Sequence, residues 1–278
     1  MHRTIRVYSD IAVRTGGDKV FASCKLTMQK QQRVAEPITD VSIDWLTGHV
    51  RILPSDSHEI RIIQLTAGRL SEAKLFHAEV IGGRLSIADG RKRGVKIGLH
   101  VNNTILEVYL PTDLLQTLTL VTSGGHLEIQ KLHAAYCTCK TTSGSLKLSG
   151  TIKELELHTV GSRVTGESLI CKRLYLRAVS SKINLSGRYN ELDVNTSGRG
   201  LTIRSSTMPA RIRSLSTGAP VVVSIPENDG FTLHVKKVSG QYKSDYPLEK
   251  VRDTLVYKDG GSSFEAEVRG GSFTIQKG

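Results

Sequence analysis

The chain has 278 residues, with 38 Lys and Arg against 26 Asp and Glu, so its formal net charge is +12. Hydrophobic residues make up 38% and charged residues 23% of the chain, a balance typical of a folded globular protein and not of a disordered one. No stretch approaches the roughly 18 apolar residues of a membrane span, and the first ten residues lack the apolar core of a secretory signal. We therefore expect a cytoplasmic protein without a transmembrane segment, with peripheral attachment to a membrane left open.

The first part of the chain consists of short alternating segments. We interpret residues 1–37 as N-terminal cap strands and residues 38–110 as irregular first coils. Within the latter, residues 41–52 form an alternating segment, a Thr47-Gly48 corner and a second alternating segment. Apolar and polar residues alternate with a period of two residues, which directs one face of each strand inward. These segments are therefore predicted to be half-buried strands. The only helical candidate is the short stretch from Leu70 to Leu75.

Residues 111–235 carry an internal repeat. Two pairs of apolar residues recur in each repeat, and equivalent positions lie 18 or 19 residues apart, loosening to 20 near the end. The first series begins at Leu118, Cys137, Leu155, Leu174 and Leu192, and the second at Leu127, Leu146, Val164, Ile183 and Leu201. Small residues such as Thr142-Ser143-Gly144 separate the two series. Glycine permits positive φ at such a corner, and serine or threonine hydroxyls can bond the local backbone.

Two short strands, two corners and a return after 18–20 residues describe the coil of a β-solenoid. One coil cannot bury its apolar side alone, but coils stacked about 4.8 Å apart pair their backbones and share a continuous core. The sequence therefore predicts an all-β fold: a right-handed parallel β-solenoid (β-helix-like) with 18–20-residue coils and capping strands at both ends. Residues 236–278 are predicted to be C-terminal closing strands. Because no polar linker divides the chain, we predict a single domain over residues 1–278.

The four cysteines, Cys24, Cys137, Cys139 and Cys171, are too few for a disulfide framework. Cys137 and Cys139 alternate on one predicted strand, so both thiols face the same side, either as half of a metal site or as small core residues. No second Cys or His pair has zinc-site spacing, so we interpret them as core residues and predict no metal. Phosphate-binding glycine loops and the G-x-S-x-G and H-E-x-x-H motifs are also missing from the sequence. We predict no cofactor and no catalytic residues.

One pattern keeps an enzymatic alternative open. Coil alignment places Glu156, Tyr175 and Asp193 in one outward column, with the two carboxylates two coils, or about 10 Å, apart. This separation lies just beyond the range of an inverting glycosidase. A glycan-active enzyme is thus the less favoured alternative to an ordinary mixed-charge sheet face. His126 and His158 near the corners have no evident carboxylate partner in the sequence and are interpreted as solvated surface residues.

Positive charge is concentrated in the middle of the repeat region. Residues 140–213 contain thirteen Lys and Arg against five Asp and Glu. Like charges in neighbouring coils repel one another, so a basic flank is costly unless it meets an anion. Our hypothesis is that this flank binds a polyanion, either anionic lipid or a cell-wall polymer of the teichoic-acid type. Its candidate residues are Lys140, Arg163, Lys172, Arg173, Arg177, Lys182 and Arg199. The alternative is that the positive charge only keeps a basic protein soluble. Nucleic acid is the least favoured ligand, because the flank lacks interleaved aromatic residues.

A second basic run, from Arg91 to Lys96, is expected at the tip of a hairpin.

Several of these stretches resemble the bacterial "putative adhesin" β-solenoid family, a domain of unknown function. The resemblance covers roughly residues 38–277. It rests on residues 41–53 with Trp45, on Ile105 to Pro111, on the Thr-Ser-Gly corners and on Val238 to Leu248. It implies a non-enzymatic scaffold or interaction module linked to cell-envelope stress or binding, whose partner is an unidentified protein or envelope component. The oligomeric state does not follow from the sequence.

Overall fold

The computed structural model of the chain describes residues 11–15, 18–22, 26–91 and 104–278. Nearly all of them are in β-strands, and the single helical element among them is a 3-10 turn at Glu72–Lys74, inside the stretch predicted as the helical candidate. The strands are β1 (Ile11–Thr15), β2 (Asp18–Ala22), β3 (Thr27–Val34), β4 (Asp40–Trp45), β5 (His49–Ser55), β6 (Ile60–Thr66), β7 (His77–Ile81), β8 (Arg84–Ala88), β9 (Thr104–Pro111), β10 (Leu115–Thr122), β11 (His126–Val179), β12 (Lys182–Ser197), β13 (Leu201–Ser205), β14 (Arg211–Ile225), β15 (Gly230–Ser244), β16 (Glu249–Val251), β17 (Thr254–Lys258) and β18 (Ser262–Lys277). Cys24, parts of the predicted N-terminal cap and the basic run beyond Arg91 lie outside the described residues. No helix in the described part of the chain is long and apolar enough to cross a membrane.

The strands from β10 to β14 wind as a parallel solenoid with two strand layers in each coil. Layer A comprises residues 117–122, 136–141, 154–159, 173–178, 191–196 and 211–216, and layer B comprises 126–129, 145–148, 163–166, 182–185, 201–204 and 221–224. In layer A, Leu174 pairs with Leu192 and Leu192 with Ile212; in layer B, Ile183 pairs with Leu201. These pairs are 18 to 20 residues apart, which confirms the predicted all-β parallel solenoid and its repeat.

The core lies between the two layers. The inward side chains of both layers are buried and form one continuous hydrophobic cluster. Cys137, Cys139 and Cys171 belong to it and are at most 3% exposed, which confirms their interpretation as core residues. The apolar alternation therefore serves packing, because each coil covers the apolar side of the next.

The first coils are stacked in an order that differs from their order along the chain. β4 lies between β8 and β10, and β5 lies between β9 and β11, all in parallel register. The coil at residues 40–55 is therefore sandwiched between β8 and β9 on one side and residues 115–129 on the other. The intervening chain leaves the stack through β6, which pairs antiparallel with β3 and β9, before it returns through the β7–β8 hairpin.

The C-terminal end contains a similar insertion. β18 pairs in parallel with β14 on one side and with β15 on the other, so the last strand of the chain lies inside the stack. The outermost strands at this end are the antiparallel β16 and β17, and the opposite end of the sheet is formed by β7 and β8. Antiparallel strands thus cap the sheet at both ends, as predicted. The strand at the first end is β7, however, which comes from the residues predicted as irregular first coils, while β3 of the predicted N-terminal cap pairs with β6. Within the described residues, β1 and β2 form a separate two-stranded sheet.

The corners between layer A and layer B combine local hydroxyl bonds with close backbone contacts. The hydroxyls of Ser162 and Ser181 donate to the carbonyl oxygens of Val160 and Val179, at 3.1 and 3.0 Å. Gly144 has a φ of +95°, and a Cβ added there would overlap the carbonyl oxygen of Gly125 in the coil beneath. Glycine is required at this corner because the stacked backbones approach too closely for a side chain.

We expect Gly144→Ala to lower the free energy of unfolding by about 2 kcal/mol or more, because it adds steric overlap to the cost of a left-handed conformation. Gly161→Ala is the matched control, since Gly161 also has positive φ (+62°) but has open space around the position of its Cβ. The Gly161→Ala substitution should lower the free energy of unfolding by about 1 kcal/mol. Urea unfolding followed by the fluorescence of Trp45, the single tryptophan, measures both values. Equal losses in the two variants would show that the backbone contact is unimportant.

Candidate functional site

Five of the predicted polyanion-binding residues lie at one edge of the solenoid, the corner at which layer A passes into layer B. Arg163 pairs with Lys182 across neighbouring coils at the start of layer B, and Arg199 lies on the next corner. Lys140 and Arg177 occupy the last outward position of layer A, two coils apart. All five side chains are exposed. The structure therefore brings together residues that are up to 59 positions apart in the sequence.

The other two candidates lie elsewhere. Lys172 and Arg173 are at the beginning of a layer A strand, about 13 to 16 Å of extended chain away from Arg177 near its end. Arg173 is also engaged in ion pairs, because its guanidinium lies 3.5 Å from a carboxylate oxygen of Glu154 and 3.3 Å from one of Glu191. Its charge is thus compensated within the sheet face.

The five corner residues form no ion pair with described residues. Three carboxylates on the outer face of layer A and of the β18 strand beside it contact arginines, by contrast: Glu154 and Glu191 contact Arg173, and Glu265 contacts Arg213. Among the five, Lys140 is near enough to Glu156 for its charge to help lower the pKa of that carboxyl. Strands are about 4.8 Å apart, so Arg163 and Lys182 repel each other unless an anion lies between or above them.

Two valines extend this basic edge with apolar surface. Val160 and Val179 occupy equivalent corner positions in neighbouring coils and are 46% and 50% exposed. We call the set of Lys140, Val160, Arg163, Arg177, Val179, Lys182 and Arg199 the first-corner edge. The sequence analysis missed the valines as functional candidates, although they break the pattern of threonine and serine that other coils show at Thr142, Ser197 and Thr217.

A second polar cluster lies on the outer face of layer B near the first coils. Nη1 of Arg51 donates to Oε1 of Glu107 at 2.9 Å, and its Nε donates to Oε2 of Glu128 at 3.2 Å. Because β9, β5 and β11 are adjacent in that order, this one guanidinium links three coils. Glu107 also accepts a 2.9 Å hydrogen bond from the hydroxyl of Tyr109, so its buried carboxylate is satisfied on both oxygens.

The histidines beside Arg51 form contacts but no enclosed site. The rings of His49 and His126 meet edge to face with centroids 5.9 Å apart, and Nδ1 of His126 lies 2.7 Å from the hydroxyl oxygen of Ser145. Burial, with the nearby charges of His126 and Arg51, lowers the pKa of His49 to about 4, so this ring is neutral at neutral pH. No group of His, Cys, Asp and Glu in the described part of the chain is arranged to hold a metal ion.

The carboxylate column gives no support to glycosidase chemistry. Oε1 of Glu156 is 2.6 Å from Nε2 of His158, and its Oε2 accepts a 3.3 Å hydrogen bond from Thr138. The bond to His158 lowers the pKa of Glu156, whereas the general acid of a glycosidase needs a raised pKa. The prediction that His158 has no carboxylate partner was wrong. Residues two apart on a strand face the same side, which makes this contact possible.

The buried thiols are not suited to chemistry either. Burial raises the pKa of Cys171 to about 12, and the pKa of Cys137 is raised by its contact with Cys139, whose sulfur is 3.9 Å away, and by burial. Thiolates are the reactive and metal-binding form, so these cysteines act as apolar core residues.

The protein is thus a parallel β-solenoid of repeated two-layer coils, with a basic edge exposed at one corner. Residues 38–265 match the family model described as Toastrack DUF4097, and the chain belongs to this family. This match confirms the resemblance inferred from the sequence.

Three solved structures are similar to the chain. A "putative cell adhesion protein" from Clostridium sporogenes is 12% identical, with 90% of this chain and 99% of that chain covered and a TM-score of 0.35. A "putative adhesin" from Parabacteroides merdae is 11% identical, with 91% and 96% covered and a TM-score of 0.44. Another from Bacteroides fragilis is 12% identical, with 92% and 98% covered and a TM-score of 0.41. No curated protein sequence matches the chain.

Proposed function

We propose that the protein is a non-enzymatic interaction module that binds an anionic phospholipid surface through its first-corner edge. The observation that carries this proposal is the joint occurrence of five unpaired basic side chains and two stacked, exposed valines at one corner of a rigid solenoid. The proposal places the protein at the cytoplasmic face of the membrane, in the envelope-stress context that the family resemblance implies.

The valines favour lipid over the other polyanions. Lysine and arginine near an anionic membrane contribute about 1 kcal/mol each, and apolar side chains among them can enter the interface between headgroups and acyl chains. A soluble cell-wall polymer offers the phosphates but no apolar phase for Val160 and Val179. Nucleic acid would favour aromatic side chains for base stacking, and the first-corner edge has none.

The test is binding to vesicles with and without anionic lipid, at low and at physiological salt. We expect salt-sensitive binding of the wild type to anionic vesicles only. The variant Arg163→Glu/Arg177→Glu/Arg199→Glu should bind at least tenfold more weakly, since it reverses three of the five edge charges.

A matched control variant carries the same number of charge reversals at the opposite corner, where layer B passes back into layer A. Lys153, Lys172 and Arg188 are exposed and form no ion pair with described residues, so the variant Lys153→Glu/Lys172→Glu/Arg188→Glu has the same net charge. It should retain most of the binding. If both variants lose affinity equally, the binding is a general effect of net charge and the proposed edge is wrong.

A variant without the two exposed valines distinguishes a membrane ligand from a soluble polyanion. Val160→Ser/Val179→Ser should weaken binding to anionic vesicles at physiological salt and leave binding to soluble polyphosphate unchanged. The opposite result, full vesicle binding by this variant, would remove the argument for lipid and leave a polymer as the ligand.

A further inference from the structure

The outer edge of β15 is open over most of its length. On its inner side β15 pairs with β18 from Phe231 to Ser244. On its outer side, β17 covers β15 only from Gly230 to Leu233. Within the described residues, the chain from His234 to Ser244 therefore has a strand on one side only, and its alternate backbone N–H and C=O groups face outward unpaired.

A groove runs beside this open edge. The β16–β17 hairpin stands next to β15 and encloses with it a volume of about 440 Å³, lined by Val235 and Tyr242 on one side and by Lys250 and Leu255 on the other. The groove continues the line of β17, which already pairs with β15. Because β15 passes from layer A into layer B near Val238, an added extended chain would follow the same corner, where the sheet would place its next strand.

The charge of the edge selects the kind of chain that fits. Lys237, Lys243 and Lys250 are exposed and form no ion pair with described residues, while Asp253 is the one carboxylate among the residues that line the groove. Val238 and Tyr242 are 66% and 41% exposed on the same strand. An extended segment that alternates acidic and apolar residues complements both features.

We propose that the β15 edge binds an acidic extended peptide segment of a partner protein by strand addition. The backbone bonds supply affinity and the lysines supply selectivity for acidic sequences. The same lysines disfavour pairing with a second copy of this basic edge, since like charges would face each other. This site begins on the same corner as the first-corner edge, three strands beyond it, because Ser197, Thr217, Arg269 and Ser239 are stacked in register. Strand addition itself does not depend on lipid binding.

The experiment uses the full-length protein and a fluorescent peptide of about eleven residues, the length of the open segment from His234 to Ser244, with alternating glutamate and valine. We expect saturable binding, measured by fluorescence anisotropy. Lys237→Glu/Lys243→Glu/Lys250→Glu should weaken it at least tenfold. The control Lys153→Glu/Lys172→Glu/Arg188→Glu, which changes the net charge equally at a distant corner, should retain it. Circular dichroism of each variant establishes that the fold is intact.

Two N-methylated peptides separate strand addition from simple charge attraction. Only alternate N–H groups of an added strand face its neighbour, so methylating one alternate set of peptide nitrogens should abolish binding and methylating the other set should preserve it. Equal affinity of the two methylated peptides, equal loss in both, or no binding of the parent peptide would each overturn the proposal. If the proposal is correct, backbone amide hydrogens of residues 234–244 should exchange more slowly when the peptide is bound.

Discussion

A chain that ends at Gly261 is expected to lose the fold of residues 230–261, although it lacks only β18. β18 lies between β14 and β15, so its removal takes out an internal coil of the stack. Phe264 and Phe273 are fully buried in that coil, and Phe264 stacks on Phe231 of β15 with centroids 4.8 Å apart. Losing each phenylalanine alone costs about 3–5 kcal/mol, a large part of the roughly 5–15 kcal/mol that stabilises a domain.

A shorter chain provides the comparison. A chain that ends at Pro226 lacks β15 to β18 together, so its stack ends at β14 with one exposed edge. Because coils of a solenoid contact only their neighbours, the preceding coils keep their contacts. We therefore expect the shorter chain to be the more resistant to limited proteolysis, with rapid cleavage of the longer chain after residue 226. Equal protection of residues 230–258 in the full chain and in the chain ending at Gly261 would contradict the inserted position of β18.

Replacing Arg51 by methionine is expected to destabilise the protein by about 3 kcal/mol at pH 7. The guanidinium bonds two carboxylates, and the side chain of Glu107 is only 9% exposed. Removing the cation leaves that carboxylate without its charged partner in a place where water cannot replace it, which is the situation in which a lost ion pair costs most. Arg33→Met is the control. The pair Arg33–Glu59 is 3.6 Å apart and well exposed, and such pairs contribute about 0–1 kcal/mol.

The effect of Arg51→Met should shrink on acidification. Burial opposes the charge of Glu128, but hydrogen bonds from Gln130 and Arg51 and the charge of Arg51 outweigh it, so the pKa of Glu128 is lowered in the folded state. A lowered folded-state pKa gives stability that is present above the unfolded pKa, about 4.3, and is lost as the pH falls through the folded value. The variant lacks this contribution. Urea unfolding from pH 7 to pH 3 should show the difference between the two proteins beginning to narrow below about pH 4.3, and a constant difference would show that charge is not the cause.

The architecture of the repeat region could be predicted from the sequence because each coil repeats a local pattern. Leu174, Leu192 and Ile212 recur at the spacing of one coil, and the register pairs them as expected. Period-two alternation fixes which side chains turn inward, and this accounts for the buried Cys137 and Cys139 as well. The basic first-corner edge was partly predictable for the same reason, since coil alignment groups Arg163 with Lys182.

The fold class, the coil length and the identity of the core follow from the amino-acid sequence alone, since these depend on alternation and on corners that are local along the chain. The order in which coils stack at the two ends is visible only in the folded structure. The coil at residues 40–55 is enclosed by later strands, and β18 is inserted behind β15. Every inner strand offers two equivalent edges for pairing, so the local pattern does not specify which segment occupies each edge. That choice also leaves the edge of β15 open.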